Sequence, residues 1–352
     1  MTTPIRADAA SPDRASVVPC AVMDYVQLGR SGLRVSRLAF GCMSYGDQSW
    51  RAWVLDEAAS LPFYRRAVDA GINFFDTADM YSDGRSEEIT GLALKEFTRR
   101  DETVIATKVN FAMGPGPNMS GLSRKHIVQA CEASLRRLDV DAIDLYQIHR
   151  FDPDVSIEET LEALNDLVRS GKVRYIGASS GSAWRMAQAL STSERHGWAR
   201  FISMQNHYNL LYREEEREMI PLCLHEGIGL IPWSPLARGL LTRPTPADRS
   251  ARGGNTARAA SDNLSPSLYD HPSDWAVVDA LEKVAAARGV SMAEIGLAWV
   301  LSRPGVVAPI VGATKLPHLE AALRALTITL TSEELAALDA PYQPHEVRGF
   351  SV

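Results

Sequence analysis

Four side chains that can hold or move a proton lie at or just after the ends of strand-like segments. Asp76 ends the apolar run that begins at Phe74, and Tyr81 follows five positions later. Lys108 and His149 come directly after the apolar segments at 103–107 and 143–148. Because the carboxyl ends of parallel barrel strands meet at one end of the barrel, we predict that these residues share one site.

Together these four residue types suit proton donation to a carbonyl oxygen. A tyrosine hydroxyl titrates near ~10, so a tyrosine that donates a proton at neutral pH needs a nearby cation. Lys108 would supply that cation and Asp76 would hold it in an ion pair. His149 would orient the substrate carbonyl or share in the proton transfer. Each residue alone is more often structural, and it is the combination that indicates a catalytic site.

Around these residues the sequence resembles the aldo-keto reductases. The resemblance rests on Asp76-Thr77-Ala78…Tyr81, Ser86-Glu87, Thr107-Lys108 and Gln147-Ile148-His149, and it covers roughly residues 24–350. The segments at 147–150, 212–217 and 234–239 are most similar to a bacterial branch, the 1-deoxyxylulose-5-phosphate synthase/reductase (YajO-type) proteins, and also to potassium-channel β-subunits. The resemblance implies that the four residues form a catalytic tetrad with the tyrosine as general acid.

Strand-like and helix-like segments alternate from Leu38 onward, which indicates a parallel sheet. Helices are predicted over 123–138 and 157–170, the second starting with a capping-box pair, Ser156 and Glu159. Further strands are predicted at 38–40, 173–178, 201–204, 228–232 and 306–311. The pattern predicts an α/β fold, a TIM-type (β/α)8 barrel. A hairpin predicted over 25–36 would, by the resemblance, plug the bottom of the barrel.

Composition excludes several classes of protein. The 352 residues are 45% hydrophobic, which suits one barrel domain over residues 23–352 after a disordered tail at 1–22. A net charge of −6 without a basic stripe argues against nucleic-acid binding, and no apolar run approaches the ~18 residues of a membrane span. The four cysteines are scattered without metal spacing, which favours free thiols in the cytoplasm. We predict no metal site, and the sequence leaves the oligomeric state open.

The cofactor would have to bind the end of the barrel, because no Gly-x-Gly-x-x-Gly stands between a strand and a helix. The resemblance implies NADPH, with Ser179 and Gln205 holding the carboxamide and Trp233 stacking on the nicotinamide. The full set that it implies for cofactor binding is Ser179, Ser180, Gln205, Trp233, Ser234, Pro235, Leu236, Arg238, Gly239, Gly312, Thr314, Lys315 and His318.

The adenine end departs from the family pattern. Thr314 and His318 match the positions that meet the 2′-phosphate and adenine, and Lys315 is a further candidate cation. Ala321 and Ala322 stand where the family usually has Glu-Asn, so we expect a weaker preference for NADPH over NADH. The Pro- and Gly-rich stretch at 242–272 is predicted to be a long loop, which in the family covers the cofactor pyrophosphate.

The sequence therefore predicts an NADPH-dependent reductase of a small aldehyde or ketone, with sugars and sugar phosphates as candidates. Trp50 and Trp53 would form an apolar wall on the substrate side. Arg150 would either bind a substrate anion or, as is commoner, pair with Asp152 or Asp154. One alternative is an NADPH-binding sensor with little turnover. Another is a metal-dependent lyase or isomerase, which needs a carboxylate/His cluster at the strand ends that the sequence lacks.

Overall fold

Eight parallel strands form one sheet that closes into a barrel. The computed structural model describes residues 23–246 and 265–350, so the tail predicted at 1–22 lies outside the described residues. The strands, in spatial order, are β10 (Ile310–Val311), β3 (Ala39–Gly41), β4 (Phe74–Asp76), β5 (Val104–Val109), β6 (Ile143–Ile148), β7 (Val173–Ser179), β8 (Phe201–Gln205) and β9 (Gly229–Leu230). The N–H of Val307 donates to Leu230 O at 2.8 Å and that of Ile310 to Pro232 O at 2.9 Å, which closes the barrel. The predicted fold class is confirmed.

Helices follow the strands around the outside of the barrel. They are α1 (Glu57–Asp69), α2 (Arg85–Phe97), α3 (Arg124–Leu138), α4 (Ile157–Arg169), α5 (Ala183–His196), α6 (Met219–Glu226), α7 (Ser265–Leu268), α8 (Asp274–Arg288), α9 (Met292–Leu301), α10 (Leu316–Ala325) and α11 (Ser332–Asp339). The helices predicted at 123–138 and 157–170 correspond to α3 and α4. Helix α7 lies inside the stretch predicted as a loop at 242–272, of which 247–264 lie outside the described residues.

The start of α4 differs from the predicted capping box. The Ser156 side chain accepts a hydrogen bond from Glu159 N at 3.2 Å, as expected of an N-cap. The Glu159 carboxylate, however, accepts from Arg124 N at 2.9 Å, at the start of α3. Glu159, which the sequence pattern assigns to the N-terminal cap of α4, therefore links α4 to the neighbouring helix α3.

The two strands at the seam of the barrel are shorter than predicted. The segments 228–232 and 306–311 yield only β9 and β10, of two residues each. Pro232 and Pro309 lie in these segments and have no N–H to donate, so a regular ladder cannot continue through them.

A hairpin closes the end of the barrel where the strands begin. Strands β1 (Tyr25–Gln27) and β2 (Arg34–Ser36) pair in antiparallel fashion, and Leu28 after β1 is fully buried in a cluster with residues of the barrel strands. Gly29 has φ +61°, and a Cβ there would lie 2.5 Å from Gly227 O. Only glycine fits this turn, and the predicted plug is confirmed.

The largest apolar cluster lies between the strands and the surrounding helices, where the ring of Phe40 contacts those of Tyr64 and Phe75. Cys42, Cys131 and Cys223 are buried free thiols, and burial raises the pKa of each to about 12. These thiols are therefore protonated and shielded from reaction. The cytoplasmic location inferred from the cysteines stays a prediction.

Within the described residues, no single helix is long and apolar enough to cross a membrane. Helices α8 and α9 meet the length and composition criteria only as a pair, and they are bent by 104° at the break between them.

Removal of residues 1–22 is expected to leave the melting temperature unchanged. The segment is rich in Ala, Asp, Pro and Ser and offers little apolar surface for docking. Thermal unfolding of the full chain and of a chain starting at Met23 measures the difference. A chain starting at Arg37, which lacks the hairpin, is the control that should melt earlier. A clear loss of stability in the Met23 form would show that the tail packs on the barrel.

Candidate active site

The four predicted catalytic residues lie side by side at the carboxyl end of the barrel strands. The Lys108 Nζ is 2.6 Å from Asp76 Oδ1 and 3.3 Å from the Tyr81 hydroxyl oxygen. The rings of Tyr81 and His149 have centroids 5.8 Å apart and meet edge to face at 82°. None of the four side chains is more than a tenth exposed. Three strands, β4, β5 and β6, therefore bring the predicted group together.

The hydrogen bonds of Lys108 determine where the Tyr81 proton points. An ammonium group has three protons, and Lys108 donates to Asp76 Oδ1, to Thr77 O at 2.7 Å and to the Tyr81 hydroxyl. The Tyr81 oxygen thus accepts from a cation, and its own proton is directed away from Lys108. The arrangement suits a tyrosine that donates its proton to a bound substrate.

The charge of Lys108 persists although the side chain is wholly buried. Burial alone would lower the pKa of Lys108, but the Asp76 charge and hydrogen bond, with those of Tyr81, outweigh it and raise the pKa. The second Asp76 oxygen accepts from Gln147 Nε2 at 3.0 Å and Gln205 Nε2 at 2.8 Å. The buried ion pair is fully hydrogen-bonded, the condition under which such a pair is tolerated.

His149 is neutral in this site. Burial, followed by the charges of Lys108 and Arg150, lowers the pKa of His149 well below its usual value. Its Nδ1 is buried with no hydrogen-bond partner among the described residues, whereas its Nε2 is not sealed off in this way. The imidazole therefore leaves Nε2 accessible as a neutral hydrogen-bonding group.

The turn after Tyr81 is built in an uncommon conformation. Ser82 and Asp83 have φ of 50° and 52°, and Gly84 has φ of +94°. Any side chain at Gly84 would be strained at φ +94°, and its Cβ would also lie 2.5 Å from Arg137 Cδ, so glycine is favoured there. Left-handed non-glycine residues cost energy and cluster at functional sites. The turn carries the chain sharply from Tyr81 into α2.

A second layer of polar side chains supports the ends of β4 and β5. Thr77 Oγ1 lies 3.0 Å from Ser86 Oγ, which joins β4 to α2. Thr107 Oγ1 donates to the fully buried Glu87 carboxylate, and Arg137 Nε lies 2.6 Å from its other oxygen. Ser86 and Glu87, part of the sequence motif, therefore act through the residues that hold the catalytic group.

Trp233, predicted to stack on the nicotinamide, ends a stack of aromatic rings. Its ring lies parallel to that of His207 at 4.3 Å, and His207 lies parallel to Tyr212 at 4.3 Å. The indole N–H donates to Ser180 Oγ at 2.9 Å. Trp233 remains partly exposed, so this stack holds a rigid aromatic platform beside the catalytic group.

Strained backbone surrounds this platform. Ser180, Ser234, Ala237 and Arg238 all have φ between 42° and 56°, and Gly239 follows with φ of +100°. Within the turn from Ser234 to Gly239, Ala237 N donates to Ser234 O and Gly239 N to Leu236 O, each at 2.9 Å, and Pro235 has no N–H. Pro235 is buried and Leu236 packs against the apolar core, so the turn is held rigidly beside Trp233.

Ser179 and Gln205 occupy paired positions on β7 and β8, and Ser179 Oγ donates to Gln205 O at 2.9 Å. The Gln205 amide also reaches the catalytic group through Asp76. The structure therefore places Gln205 next to Asp76, and Ser179 next to Gln205.

The predicted adenine end lies at the start of α10. Lys315 and His318 are exposed there, and the Tyr45 hydroxyl holds Ala313 O at 2.8 Å just after Gly312, with Thr314 next in the chain. A helix N-terminus favours an anion through its unpaired N–H groups and dipole. Ala321 is 8% exposed and Ala322 is fully buried. The two positions where the family has Glu-Asn are therefore held here by small, buried side chains of α10.

The predicted substrate residues differ in exposure. Trp50 lies 6.3 Å from the Tyr81 ring and is partly exposed, whereas Trp53 is only 6% exposed. The Arg51 guanidinium lies over both indoles, 4.4 Å from Trp50 and 5.9 Å from Trp53. Of the two tryptophans, only Trp50 presents a face beside Tyr81.

The ion pair expected between Arg150 and Asp152 or Asp154 is wrong. Asp152 instead accepts hydrogen bonds from Leu122 N at 2.8 Å and from Asp154 N at 2.9 Å, which fixes its own loop. Arg150 donates through Nη1 to His149 O at 2.6 Å. Backbone N–H groups therefore supply hydrogen bonds to the Asp152 carboxylate, which the sequence had suggested as an ion-pair partner of Arg150.

Sequence reasoning missed three residues of the site: Gln147, His207 and Phe111. Gln147 stands two positions before His149, and His207 two positions after Gln205. The two-residue alternation of β6 and β8, continued past the last strand residue, therefore puts each on the same side as a predicted residue. That alternation is a signal that could have found them. Phe111, whose ring lies 4.8 Å from His149, is in an irregular loop where no such periodicity applies.

A His/Asp cluster lies where the C-terminal segment meets the start of α8. His271, Asp274 and His345 have ligand-type atoms within 4.8 Å of one another. His345 Nε2 lies 3.1 Å from Asp274 Oδ1, and His271 Nδ1 lies 2.7 Å from Ser273 Oγ. These contacts tie the C-terminal segment to the start of α8 and account for the cluster without an ion.

Comparison with known proteins gives a consistent result. The sequence model of the Aldo/keto reductase family matches residues 37–343. The chain is 46% identical over 343 residues to the versiconal hemiacetal acetate reductase of Aspergillus parasiticus, covering 92% of this chain and 98% of that protein. It is 45% identical over 349 residues to a putative aryl-alcohol dehydrogenase of Schizosaccharomyces pombe, covering 92% and 97%. It is also 41% identical over 345 residues to a putative aryl-alcohol dehydrogenase of Saccharomyces cerevisiae, covering 92% of this chain and 98% of that protein. These fungal relatives give no support to the predicted bacterial branch.

Proposed function

The chain belongs to the aldo/keto reductase family and is an NAD(P)-dependent oxidoreductase; from that premise we propose that it reduces an aldehyde or ketone with NADPH, using Tyr81 as general acid. The hydrogen bonds of Lys108 are the observation that carries this proposal. They place a buried cation against the Tyr81 oxygen and leave the phenolic proton for a substrate.

Each member of the catalytic group then has one task. The nicotinamide, when bound, supplies a hydride to the carbonyl carbon. Tyr81 gives its proton to the oxygen as negative charge develops there, and Lys108 stabilises the phenolate that remains. Asp76 keeps Lys108 charged and in place. His149, being neutral, offers a hydrogen bond to the carbonyl oxygen from Nε2.

The surrounding residues fit a nicotinamide dinucleotide. Trp233 provides a planar platform backed by His207, and the left-handed turn from Ser234 to Gly239 carries Arg238, a cation for a phosphate. We choose NADPH over NADH because Lys315 is an exposed cation at the start of α10, where a 2′-phosphate would gain from both its charge and the helix dipole.

Lys315→Met is expected to weaken NADPH binding by about tenfold, the scale of one hydrogen bond to a charged group. NADH binding should be unchanged, because NADH lacks the 2′-phosphate. Fluorescence titration of both cofactors measures the two dissociation constants, with Lys125→Met, at another exposed lysine, as the matched control. Equal weakening of both cofactors, or of neither, contradicts the assignment of Lys315.

Aromatic carbonyls are the first substrates to test. The relatives named as aryl-alcohol dehydrogenases act, by name, on aromatic alcohols. In this chain Trp50 and Phe111 place apolar rings beside Tyr81 and His149, which suits an aromatic substrate. Sugars and sugar phosphates, the candidates from the sequence, belong in the same panel.

The test is a substrate panel in which NADPH oxidation is followed by absorbance. Aryl aldehydes, keto-sugars and sugar phosphates are each compared with a reaction lacking carbonyl. We expect carbonyl-dependent oxidation with at least one class. Tight NADPH binding without turnover on any of them would instead support the sensor alternative that channel β-subunits suggest.

A further inference from the structure

Arg150 is a half-buried cation at the catalytic group, and no carboxylate of the described residues balances its charge. Its only hydrogen bond to the described residues runs from Nη1 to the backbone oxygen of His149, and it forms no ion pair with any of them. A guanidinium drawn out of water is normally paired, because desolvating an unpaired charge is unfavourable. The nearest acids along the chain, Asp152 and Asp154, do not supply the partner.

The unused part of the guanidinium remains open to solvent. Nη1 is engaged, whereas Nε and Nη2 have no partner among the described residues and are not among the sealed polar atoms. Nε and Nη2 form one edge of the planar group, with two parallel N–H bonds. That edge matches the two oxygens of a carboxylate or phosphate.

The positive charge of Arg150 acts on two histidines of the site, His149 and His207. After burial and Lys108, Arg150 is the next cause that lowers the pKa of His149, and after burial and Arg238 it lowers the pKa of His207, which backs Trp233. Its guanidinium carbon lies 5.8 Å from the centre of the Phe111 ring, which itself contacts His149. Arg150 therefore lies beside the groups that would meet the carbonyl and the nicotinamide.

We propose that Arg150 binds an anionic group of the substrate, so that the preferred substrates are short or aromatic carbonyl compounds carrying a carboxylate or phosphate. This inference rests on the proposed carbonyl reduction. The substrate anion balances the half-buried guanidinium, and the two N–H bonds orient the carbonyl toward Tyr81 and His149. Phe111 and Trp50 bound the space between anion and carbonyl with apolar surface.

Matched substrate pairs test the proposal. We compare kcat/KM for 4-carboxybenzaldehyde with that for its methyl ester, and for glyceraldehyde 3-phosphate with that for glyceraldehyde. The first pair tests a carboxylate and the second a phosphate. The unaltered enzyme should favour the charged member of at least one pair by about 10- to 100-fold, the scale of a hydrogen bond to a charged group. Arg150→Ala should abolish that preference, since only the charged member of a pair uses this edge of Arg150.

Two further variants distinguish a loss of anion binding from a disturbance of the local structure. Arg150→Lys keeps the positive charge but loses the two parallel N–H bonds of the guanidinium, so it should retain part of the preference. This result is expected even if Arg150→Ala disturbs the His149 backbone. Arg185→Ala removes an arginine that lies over Trp184 at the start of α5, and it should not change the preference.

A binding measurement gives a readout that does not depend on turnover. Benzoate and inorganic phosphate are titrated calorimetrically into the NADPH-bound protein, and at least one should bind in the unaltered chain and be lost in Arg150→Ala. Equal kcat/KM within both pairs, or a preference or anion binding that survives Arg150→Ala, overturns the inference while leaving carbonyl reduction intact. If no carbonyl is reduced, the proposed function fails, and the anion titration alone then decides for or against Arg150.

Discussion

Replacing Tyr81 with phenylalanine is expected to reduce turnover by about 10²-fold or more, the scale of a lost general acid. NADPH affinity should stay nearly unchanged, because the predicted cofactor residues lie at the ends of β7 and β8 and in the segments that follow β7, β9 and β10. The phenyl ring also keeps the edge-to-face contact with His149. Single-turnover kinetics and a cofactor titration on the same variant measure the two quantities separately.

A second tyrosine provides the control for removing a hydroxyl. Tyr146 is fully buried on the neighbouring strand β6, and its hydroxyl lies 3.5 Å from Ile127 O, away from the catalytic group. Tyr146→Phe should leave turnover unchanged. Near-normal activity in Tyr81→Phe would show that another group donates the proton, and the assigned tetrad would then be wrong.

Replacing Lys108 with methionine is expected to reduce both turnover and stability. Turnover should fall by about 10²-fold or more, because the phenolate of Tyr81 loses the cation that stabilises it. The Asp76 carboxylate, 2% exposed, would keep only its two glutamine donors. Removing one partner of a buried pair costs about 3–5 kcal/mol, so the free energy of unfolding should drop by that order. Chemical denaturation and steady-state kinetics measure the two effects.

The double variant Lys108→Met with Asp76→Asn separates these two losses. The second substitution removes the uncompensated charge, so most of the lost stability should return. Turnover should stay low, because the double variant still lacks the Lys108 cation beside Tyr81. Recovery of turnover in the double variant would contradict the assigned role of Lys108. A fully stable single variant would contradict the buried pair.

The sequence by itself determined that Asp76, Tyr81, Lys108 and His149 lie together. Asp76, Lys108 and His149 stand at or after the ends of strands predicted from apolar runs, and the carboxyl ends of parallel strands must meet. That rule needs only local periodicity and the alternation of strands and helices. The same alternation placed the helices α3 and α4 within a residue or two of their observed bounds.

Only the tertiary structure decided how the side chains of the site are paired. Asp76 meets Gln205 across 129 positions of sequence, and Trp233 meets His207 in a stack that no sequence period marks. Arg150 lacks the acidic partner that its neighbours in sequence suggested, because backbone N–H groups reach Asp152 first. Each carboxylate has several donors within reach along the chain. Which of them binds it depends on distances that exist only once the barrel has closed.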